Sequence, residues 1–277
     1  MKSLWYKLPF TGAPKPTVVQ VSLHGMIATE NRTGRALNLE TVEKALIRAF
    51  DVSDAKAVVI SVNSPGGSPA QSRMIHDRVR ELSAEKKTPV LSYIEDVGAS
   101  GGYMISLAGD EIFADPYAIV GSIGVIGGGF GFQEAIKKLG IERRIYTSGE
   151  NKSQLDPFTP EDERNVERFK GILSKTHDLF KDMVRDRRGG RLKTDDETLF
   201  NGDFWVAGDA LDLGLIDQVG DLRALLKARF GDELEIKKIS TDKKGLFSKL
   251  FASRSSSILN GLPEILSEIS AWGRYGR

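Results

Sequence analysis

Apolar and polar positions along the first 150 residues follow two alternating periods, which predict strands followed by helices. Residues 17–23 alternate between apolar and polar as a half-buried strand does, and residues 39–50 carry apolar side chains at helical spacing. Asn38 stands directly before that helical stretch and is a typical N-cap residue. The pattern therefore predicts a strand and then a capped helix at the start of the fold.

The same rhythm continues along the chain. Further strands are predicted at residues 57–62, 89–94, 112–113, 119–126 and 141–147. Helices are predicted from the apolar faces Ile75, Val79, Leu82 and Met104, Ile105, Leu107. Strands that alternate with helices favour a layered, mostly parallel sheet with flanking helices, which is an α/β fold. From Thr159 to Arg188 the chain is helical in pattern and highly charged, with Pro160 at the expected first position.

Three regions are predicted from changes in composition: an N-terminal extension at residues 1–16, a core at 17–240 and a tail at 241–277. Residues 241–257 combine basic side chains with a serine run, which is typical of a linker. Apolar residues then recur at helical spacing up to Trp272 and predict an amphipathic helix. This helix could pack on its own domain or a neighbour, anchor at a membrane surface, or enter a substrate groove. Glu264 and Glu268 count against the membrane anchor.

Composition narrows the function classes. Hydrophobic residues make up 40% and charged residues 28%, as in ordinary globular proteins, and the net charge of +1 gives no reason to expect a nucleic-acid partner. The chain has no cysteine, which excludes disulfides, thiolate catalysis and cysteine-ligated zinc. It also has no metal-binding motif, so no metal or other cofactor is expected.

No membrane-spanning segment or signal peptide is predicted. The longest apolar stretch, residues 117–132, is dominated by glycine and small residues, and residues 1–10 contain no continuous apolar run. The expected location is therefore cytoplasmic, with peripheral contact at the inner membrane through the tail as the alternative.

A serine and a lysine form the candidate catalytic pair. Ser100 lies in the small-residue run 98–103, and Lys152 follows 52 positions later. No histidine base is evident, because the three histidines lie outside the glycine-rich stretches: His24, His76 and His177. A neutral lysine can take the proton of a serine hydroxyl, which requires a pKa roughly three below the usual value of about 10.4, and burial can supply this. The pair predicts a Ser-Lys hydrolase.

A second small-residue corner strengthens this interpretation. The string Val-Asn-Ser-Pro-Gly-Gly-Ser at residues 62–68 follows the apolar run 57–60, which is predicted to be a buried strand. A strand that turns through Pro-Gly-Gly into a helix leaves backbone N–H groups unpaired. Such groups are suited to forming an oxyanion hole.

These motifs and their order resemble the signal peptide peptidase A family, within the Clp protease and crotonase superfamily. The resemblance extends from about Thr17 to about Leu222. The matching segments, in order, are Asn-Ser-Pro-Gly-Gly at 63–67, Ala-Ser-Gly-Gly-Tyr at 99–103, Val-Gly-Ser-Ile-Gly-Val at 120–125, Ser-Gly at 148–149 with Lys152, Pro-Phe at 157–158, Trp-Val-Ala-Gly at 205–208 and Gly-Leu-Ile-Asp at 214–217. Each motif alone is weak, whereas their order is specific.

The resemblance implies a role for each candidate residue. Ser100 would be the nucleophile, Lys152 the general base and Ser122 the residue whose hydroxyl orients the lysine. The backbone N–H groups of Gly67 and Gly101 would form the oxyanion hole. The family further implies a Clp/crotonase-like fold, a lysine supplied by the neighbouring protomer and a homo-octamer. Its substrates would be signal-peptide remnants and other unfolded, hydrophobic polypeptides.

Two alternative functions stay open. A crotonase-like enzyme could use the same oxyanion geometry on an acyl-CoA thioester, although Lys152 has no obvious role in that chemistry. A catalytically silent assembly or scaffold protein is the second alternative, which the presence of all five candidate residues disfavours. A Clp-like Ser-His-Asp peptidase is disfavoured because Val125 and Ile126 stand where its histidine is expected.

Overall fold

Strands and helices alternate through the parts of the chain that this computed structural model describes, residues 15–29 and 36–241. The strands are β1 Thr17–His24, β2 Ala55–Ser64, β3 Val90–Ala99, β4 Glu111–Ala114, β5 Ile119–Gly121, β6 Phe204–Val206, β7 Gln218–Val219 and β8 Glu235–Ile239. The helices are α1 Leu39–Phe50, α2 Pro69–Lys86, α3 Gly101–Ser106, α4 Gln133–Lys138, α5 Glu163–Arg188, α6 Asp196–Leu199, α7 Ala207–Asp212 and α8 Leu222–Phe230. The predicted N-terminal extension lies outside the described residues up to residue 14, and the predicted tail does so from residue 242 onward.

One mixed sheet contains all eight strands, in the order β6-β5-β3-β2-β1-β8, with β4 beside β3 and β7 beside β4. Neighbouring strands are parallel except β5 and β6, which confirms the predicted mostly parallel α/β sheet with flanking helices. Because the carboxyl ends of parallel strands lie at one edge, the loops that follow β2 and β3 come together there. This edge holds the candidate catalytic serine.

Helices cover both faces of the sheet. Val58, Ile60 and Val62 of β2 pack in one core with α1 and α2, whereas the alternate residues Ala57 and Val59 pack in a second core with α8. A third core joins α3, α5 and α7 to the ends of β3, β4 and β5. This third core supports the nucleophile helix α3, all six residues of which are buried.

The first predicted helix has the predicted boundaries because its start is encoded locally. The Asn38 side chain accepts a hydrogen bond from the Thr41 backbone N–H at 3.0 Å, and the Thr41 hydroxyl accepts one from the Asn38 N–H at 3.2 Å. This reciprocal capping satisfies two backbone donors that the helix cannot pair. The predicted N-cap is therefore confirmed.

One predicted strand is absent, and two other predicted elements begin or end at a different residue. No strand forms at residues 141–147, where the side chains of Ile141 and Tyr146 are exposed. No strand of the described chain offers this segment an edge to pair with. The strand predicted at 119–126 ends at Gly121, where the chain turns at Ser122 with a positive φ. Helix α5 begins at Glu163 because Asp162 caps it through the Arg164 and Asn165 N–H groups.

Among the helices that the structure describes, none combines the length with the apolar character that a membrane span requires.

Candidate active site

Ser100 lies at a strained turn between β3 and α3. Its backbone has φ 52° and ψ −120°, a conformation that is uncommon for a residue with a side chain. The Ser100 N–H donates to the Gly121 carbonyl at 2.8 Å, and the Ser100 carbonyl accepts from the Met104 N–H at 3.0 Å. Such strain persists only where surrounding contacts impose it, and it occurs preferentially at functional sites. The geometry resembles the strand-turn-helix corner on which hydrolases present a nucleophilic serine.

The corner after β2 passes directly beside Ser100. A Cβ atom added to Gly66 would lie 2.8 Å from the Ser100 Cβ and 2.9 Å from the Gly101 nitrogen. One added to Gly67, which has φ +139°, would lie 2.0 Å from the Ile27 carbonyl oxygen. The two glycines therefore allow three chain segments to meet at the serine. The Ile27 backbone holds them there, accepting from the Ser68 N–H at 2.8 Å and donating to the Gly66 carbonyl at 2.9 Å.

Two backbone donors at these corners are available for a ligand. Gly101 begins α3, so its N–H has no partner within the helix. In the described parts of the chain, neither the Gly101 N–H nor the Gly67 N–H donates a hydrogen bond. Both are the predicted oxyanion donors, and their joint action on one oxygen stays a prediction.

Ser122 occupies the equivalent position on the neighbouring strand. Ala99 pairs with Gly121 where β3 meets β5, so Ser100 and Ser122 each stand one residue beyond a paired position. Ser122 also has a positive φ, of 51°, and its N–H donates to the Asp203 carbonyl at 2.7 Å. The structure thus brings Ser122 to the same edge as Ser100, as the predicted role requires.

Lys152 is placed differently. It lies exposed in a turn, where its backbone N–H bonds the Gly149 carbonyl at 3.3 Å. No hydrogen bond or ion pair joins its side chain to Ser100 or to any other residue that the structure describes. Within one chain, the predicted base is therefore not held against the predicted nucleophile.

The segment that carries Lys152, residues 126–158, exposes many large apolar side chains. Tyr146 is 91% exposed and Phe130 79% exposed, and Phe132 stacks in a tilted arrangement between Phe130 and Phe158 at centroid distances of 6.0 and 5.7 Å. The other exposed apolar residues of this segment are Ile126, Leu139, Ile141 and Leu155. An exposed apolar surface of this kind is typical of a protein–protein contact.

Two contacts at the site were not predicted. His177 of α5 donates its Nε2–H to the Ile123 carbonyl at 3.0 Å, directly after Ser122. A carbonyl only accepts, so this contact sets the protonated nitrogen of the ring. Ile27 was also missed, although it holds the Gly66–Gly67 corner. Neither role has a local sequence signal, because each depends on a partner distant in the chain.

A polar cluster lies at the carboxyl ends of β1, β2 and β3. The His24 Nε2 lies 2.9 Å from a Glu95 carboxylate oxygen, and the Asn63 amide donates to Asp96. The hydrogen bond that His24 donates to the Glu95 carboxylate raises the pKa of His24 above its usual value. No group of three or more histidine, aspartate or glutamate side chains in the described residues is placed to hold a metal ion.

Comparison with known proteins gives one family match. Residues 83–233 match the model described as "Peptidase family S49". A Brucella abortus protein named "Na(+)/H(+) antiporter NhaA" is 46% identical over 268 residues, covering 92% of this chain and 36% of that protein. "Protease 4" of Haemophilus influenzae is 32% identical over 213 residues, covering 73% of this chain and 32% of that protein. The chain thus spans about a third of the length of these curated relatives.

A solved structure of a ClpP1 mutant from Listeria monocytogenes superimposes with a TM-score of 0.47 at 17% sequence identity. The match covers 75% of this chain and 94% of that one.

Proposed function

Because this chain belongs to peptidase family S49, we propose that it is a serine endopeptidase with Ser100 as its nucleophile. The observation that carries the proposal is the strained Ser100 corner, against which the Gly66 backbone packs without room for a side chain. Acyl transfer needs an exposed nucleophile next to backbone donors for the developing oxyanion. The N–H groups of Gly67 and Gly101 are suited to that second role.

The reaction proceeds through an acyl-enzyme. The Ser100 Oγ attacks the scissile carbonyl while its proton passes to the neutral amine of Lys152, and the negative oxygen is stabilised by the Gly67 and Gly101 N–H groups. The lysine then gives the proton to the leaving amine. Water, activated by the same lysine, hydrolyses the ester and restores Ser100. The Ser122 hydroxyl orients the lysine amine during both steps.

The lysine is supplied by a neighbouring copy in a homo-octameric ring. Two observations support this proposal: the Lys152 side chain is exposed without a partner in its own described chain, and exposed apolar residues precede and follow it along the chain, from Ile126 to Leu155. Because each copy both gives and receives a base, the contact is head-to-tail and must close into a ring. Packing of Phe130, Leu139 and Tyr146 against the next copy would place and desolvate the lysine.

The proposed substrates are signal-peptide remnants and other unfolded, hydrophobic polypeptides. An enclosed ring admits extended chains and excludes folded proteins by size, and extended chains can pair with exposed backbone near the Gly66–Gly67 corner. We propose no antiporter activity for this chain. It matches about a third of each relative that has the antiporter name, and its own family match is to peptidases.

A fluorophosphonate probe tests the proposal directly. The wild-type protein should be labelled on Ser100 and should cleave denatured protein, whereas the variants Ser100→Ala and Lys152→Ala should lose both properties. The loss of turnover should reach about 10⁴-fold, as for other covalent hydrolases. Turnover of an acyl-CoA thioester without peptide cleavage would contradict the proposal. Near-wild-type peptidase activity in Lys152→Ala would contradict the assignment of Lys152 as the general base.

Profiling the cleavage sites in a denatured proteome tests the proposed substrates. The expected result is cleavage next to apolar side chains and little attack on native globular proteins. A strong preference for charged residues before the cut would contradict the substrate proposal while leaving the peptidase assignment intact.

A further inference from the structure

The turn that follows the nucleophile helix is held by arginines from two other helices. Helix α3 ends at Ser106, and the carbonyl groups of the next three residues, Leu107, Ala108 and Gly109, accept no backbone hydrogen bond in the described parts of the chain. The Arg187 guanidinium of α5 donates to the Leu107 carbonyl at 2.8 Å through Nε and to the Gly109 carbonyl at 2.9 Å. Arg80 of α2 donates to the Ala108 carbonyl at 3.1 Å. Three successive unpaired carbonyl groups thus receive charged donors.

Arg187 occupies this position at an electrostatic cost. Its side chain is 27% exposed, and burial lowers its pKa, as does the neighbouring Arg80 guanidinium. Asp110 compensates in part, with a carboxylate oxygen 2.7 Å from Arg80 and 3.9 Å from Arg187. An apolar side chain would fill the same space without bringing two cations together. What the arginine adds is a planar fork that bonds two carbonyl groups at once.

The same turn of α5 holds a second attachment of α3. The Tyr103 hydroxyl, fully buried, donates to the Leu215 carbonyl at 2.7 Å. Arg188 donates to the adjacent Gly214 carbonyl at 2.8 and 3.0 Å and pairs with Asp217 at 2.8 Å. Residues 214–217 therefore connect α3 to α5 independently of Arg187.

Helix α5 also contacts the segment that carries Ser122. His177 bonds the Ile123 carbonyl, and a Cβ atom added to Gly127 would lie 2.5 Å from the Phe169 ring. Helix α5 therefore contacts both α3, which presents Ser100, and the residues after β5, which include Ser122. Displacement of α3 along its axis would move the nucleophile relative to Ser122 and to the Gly66–Gly67 corner.

We propose that Arg187 is a positioning residue for catalysis, which fixes α3 axially through the Leu107 and Gly109 carbonyls and so sets the place of Ser100. This inference rests on the proposed serine peptidase function. A misplacement of about 1 Å at a reacting group costs about 100-fold in rate, so a short helix without this clamp loses turnover before it loses its fold.

The test compares Arg187→Gln and Arg187→Lys with the control Arg185→Gln in the full chain. Arg185 lies two residues earlier on α5 and forms ion pairs with Asp182 and Asp196 at the surface, so its variant also removes one positive charge. The measurements are the rate of fluorophosphonate labelling, kcat and KM on a denatured protein substrate, and the thermal unfolding midpoint.

Arg187→Gln should reduce both the labelling rate and kcat by about 10-fold or more, with KM changed by less than about 2-fold. Arg187→Lys should recover only part of the lost labelling rate. An ammonium group can donate to one carbonyl, but it lacks the planar fork that reaches both. Arg185→Gln should keep the wild-type labelling rate. If Arg187→Gln does not fold, Arg187→Lys alone tests the inference, and its labelling rate is expected to be lower than that of the wild type.

A wild-type labelling rate in the folded Arg187 variants would overturn the inference. An equal loss in Arg185→Gln would overturn it as well, because the effect would then follow charge rather than the clamp. Failure of the wild-type protein to be labelled at Ser100 would instead refute the proposed peptidase function, so the two failures are distinguishable.

Discussion

The backbone N–H of Ser100 donates a hydrogen bond to the Gly121 carbonyl oxygen at 2.8 Å. This contact continues the pairing of β3 with β5 by one residue and holds Ser100 beside Ser122 at the carboxyl edge of the sheet. Both serines have a positive φ, so both strands end in a turn at the same level. The proposed nucleophile and the proposed lysine-orienting hydroxyl are therefore positioned by the sheet, whereas the proposed base Lys152 lies in an exposed turn outside it.

The Gly66–Gly67 corner should tolerate no side chain. In Gly67→Ala the new Cβ would meet the Ile27 carbonyl oxygen at 2.0 Å, and the φ of +139° alone costs about 1–3 kcal/mol for a non-glycine residue. Peptidase activity should fall by more than about 100-fold, because the corner has to move away from Ser100. A peptidase assay measures the loss of activity, and urea unfolding measures the loss of stability.

Gly128→Ala is the matched control for this substitution. Gly128 has no atom within 4 Å of an added Cβ, so its variant should keep wild-type stability. Similar stability of Gly67→Ala and Gly128→Ala would contradict the close packing at the corner.

Tyr103→Phe should destabilise the protein without changing its fold. The substitution leaves the Leu215 carbonyl without its buried donor, which costs about 1–3 kcal/mol in the free energy of unfolding. Tyr117→Phe is the control, since Tyr117 is 89% exposed and should lose almost nothing. Urea denaturation of the three proteins provides the comparison, and equal midpoints for both variants would argue against a buried hydrogen bond at Tyr103.

Two inactive variants should restore activity when mixed. In a closed ring in which each Ser100 receives the lysine of the next copy, Ser100→Ala chains still supply lysine and Lys152→Ala chains still supply serine. Random exchange of equal amounts should rebuild about a quarter of the sites, since the serine and the lysine must each come from the correct variant. Activity is measured after unfolding and refolding the mixture together. No recovery, with subunit exchange verified by mass, would mean that the lysine acts within its own chain.

Two histidines should make the free energy of unfolding depend on pH, and their effects should have opposite signs. Burial lowers the pKa of His76, and the nearby Arg187 and Arg80 add to the effect against Asp77. The unfolded chain therefore binds a proton near pH 6.5 that the folded protein does not bind, so stability falls as the pH drops below about 6.5. His76→Gln should show a smaller loss of stability between pH 7 and pH 5 than the wild type does.

His24 should act in the opposite direction. The Glu95 hydrogen bond raises the pKa of His24, so its contribution to stability is complete below about 6.5 and is lost as the pH rises through the folded value. His24→Gln should therefore lose stability relative to the wild type mainly at low pH. Urea midpoints measured from pH 5 to pH 8 test both signs, and the same sign of change in the two variants would refute the assignment.

The tertiary structure corrected the sequence interpretation where a segment depends on distant partners. The β-branched and aromatic residues within 141–147 favour a strand, yet Ile141 and Tyr146 are exposed and no described strand pairs with the segment. A pattern of side chains can make a segment suitable for pairing, but it cannot supply the sheet edge. By contrast, α1 was predicted with its correct boundaries because Asn38 and Thr41 form its cap within four residues.

The α/β class, the first helix with its cap and the two glycine-rich corners could be predicted from the sequence, because each depends on residues close together in the chain. The folded structure was needed to show that Gly66 lies against Ser100, that Ser122 stands beside Ser100, and that Arg187 binds the turn after the nucleophile helix. These contacts join residues between 22 and 80 positions apart. Side-chain periodicity carries no information on such pairs, since the sheet order and the packing of α5 bring them together.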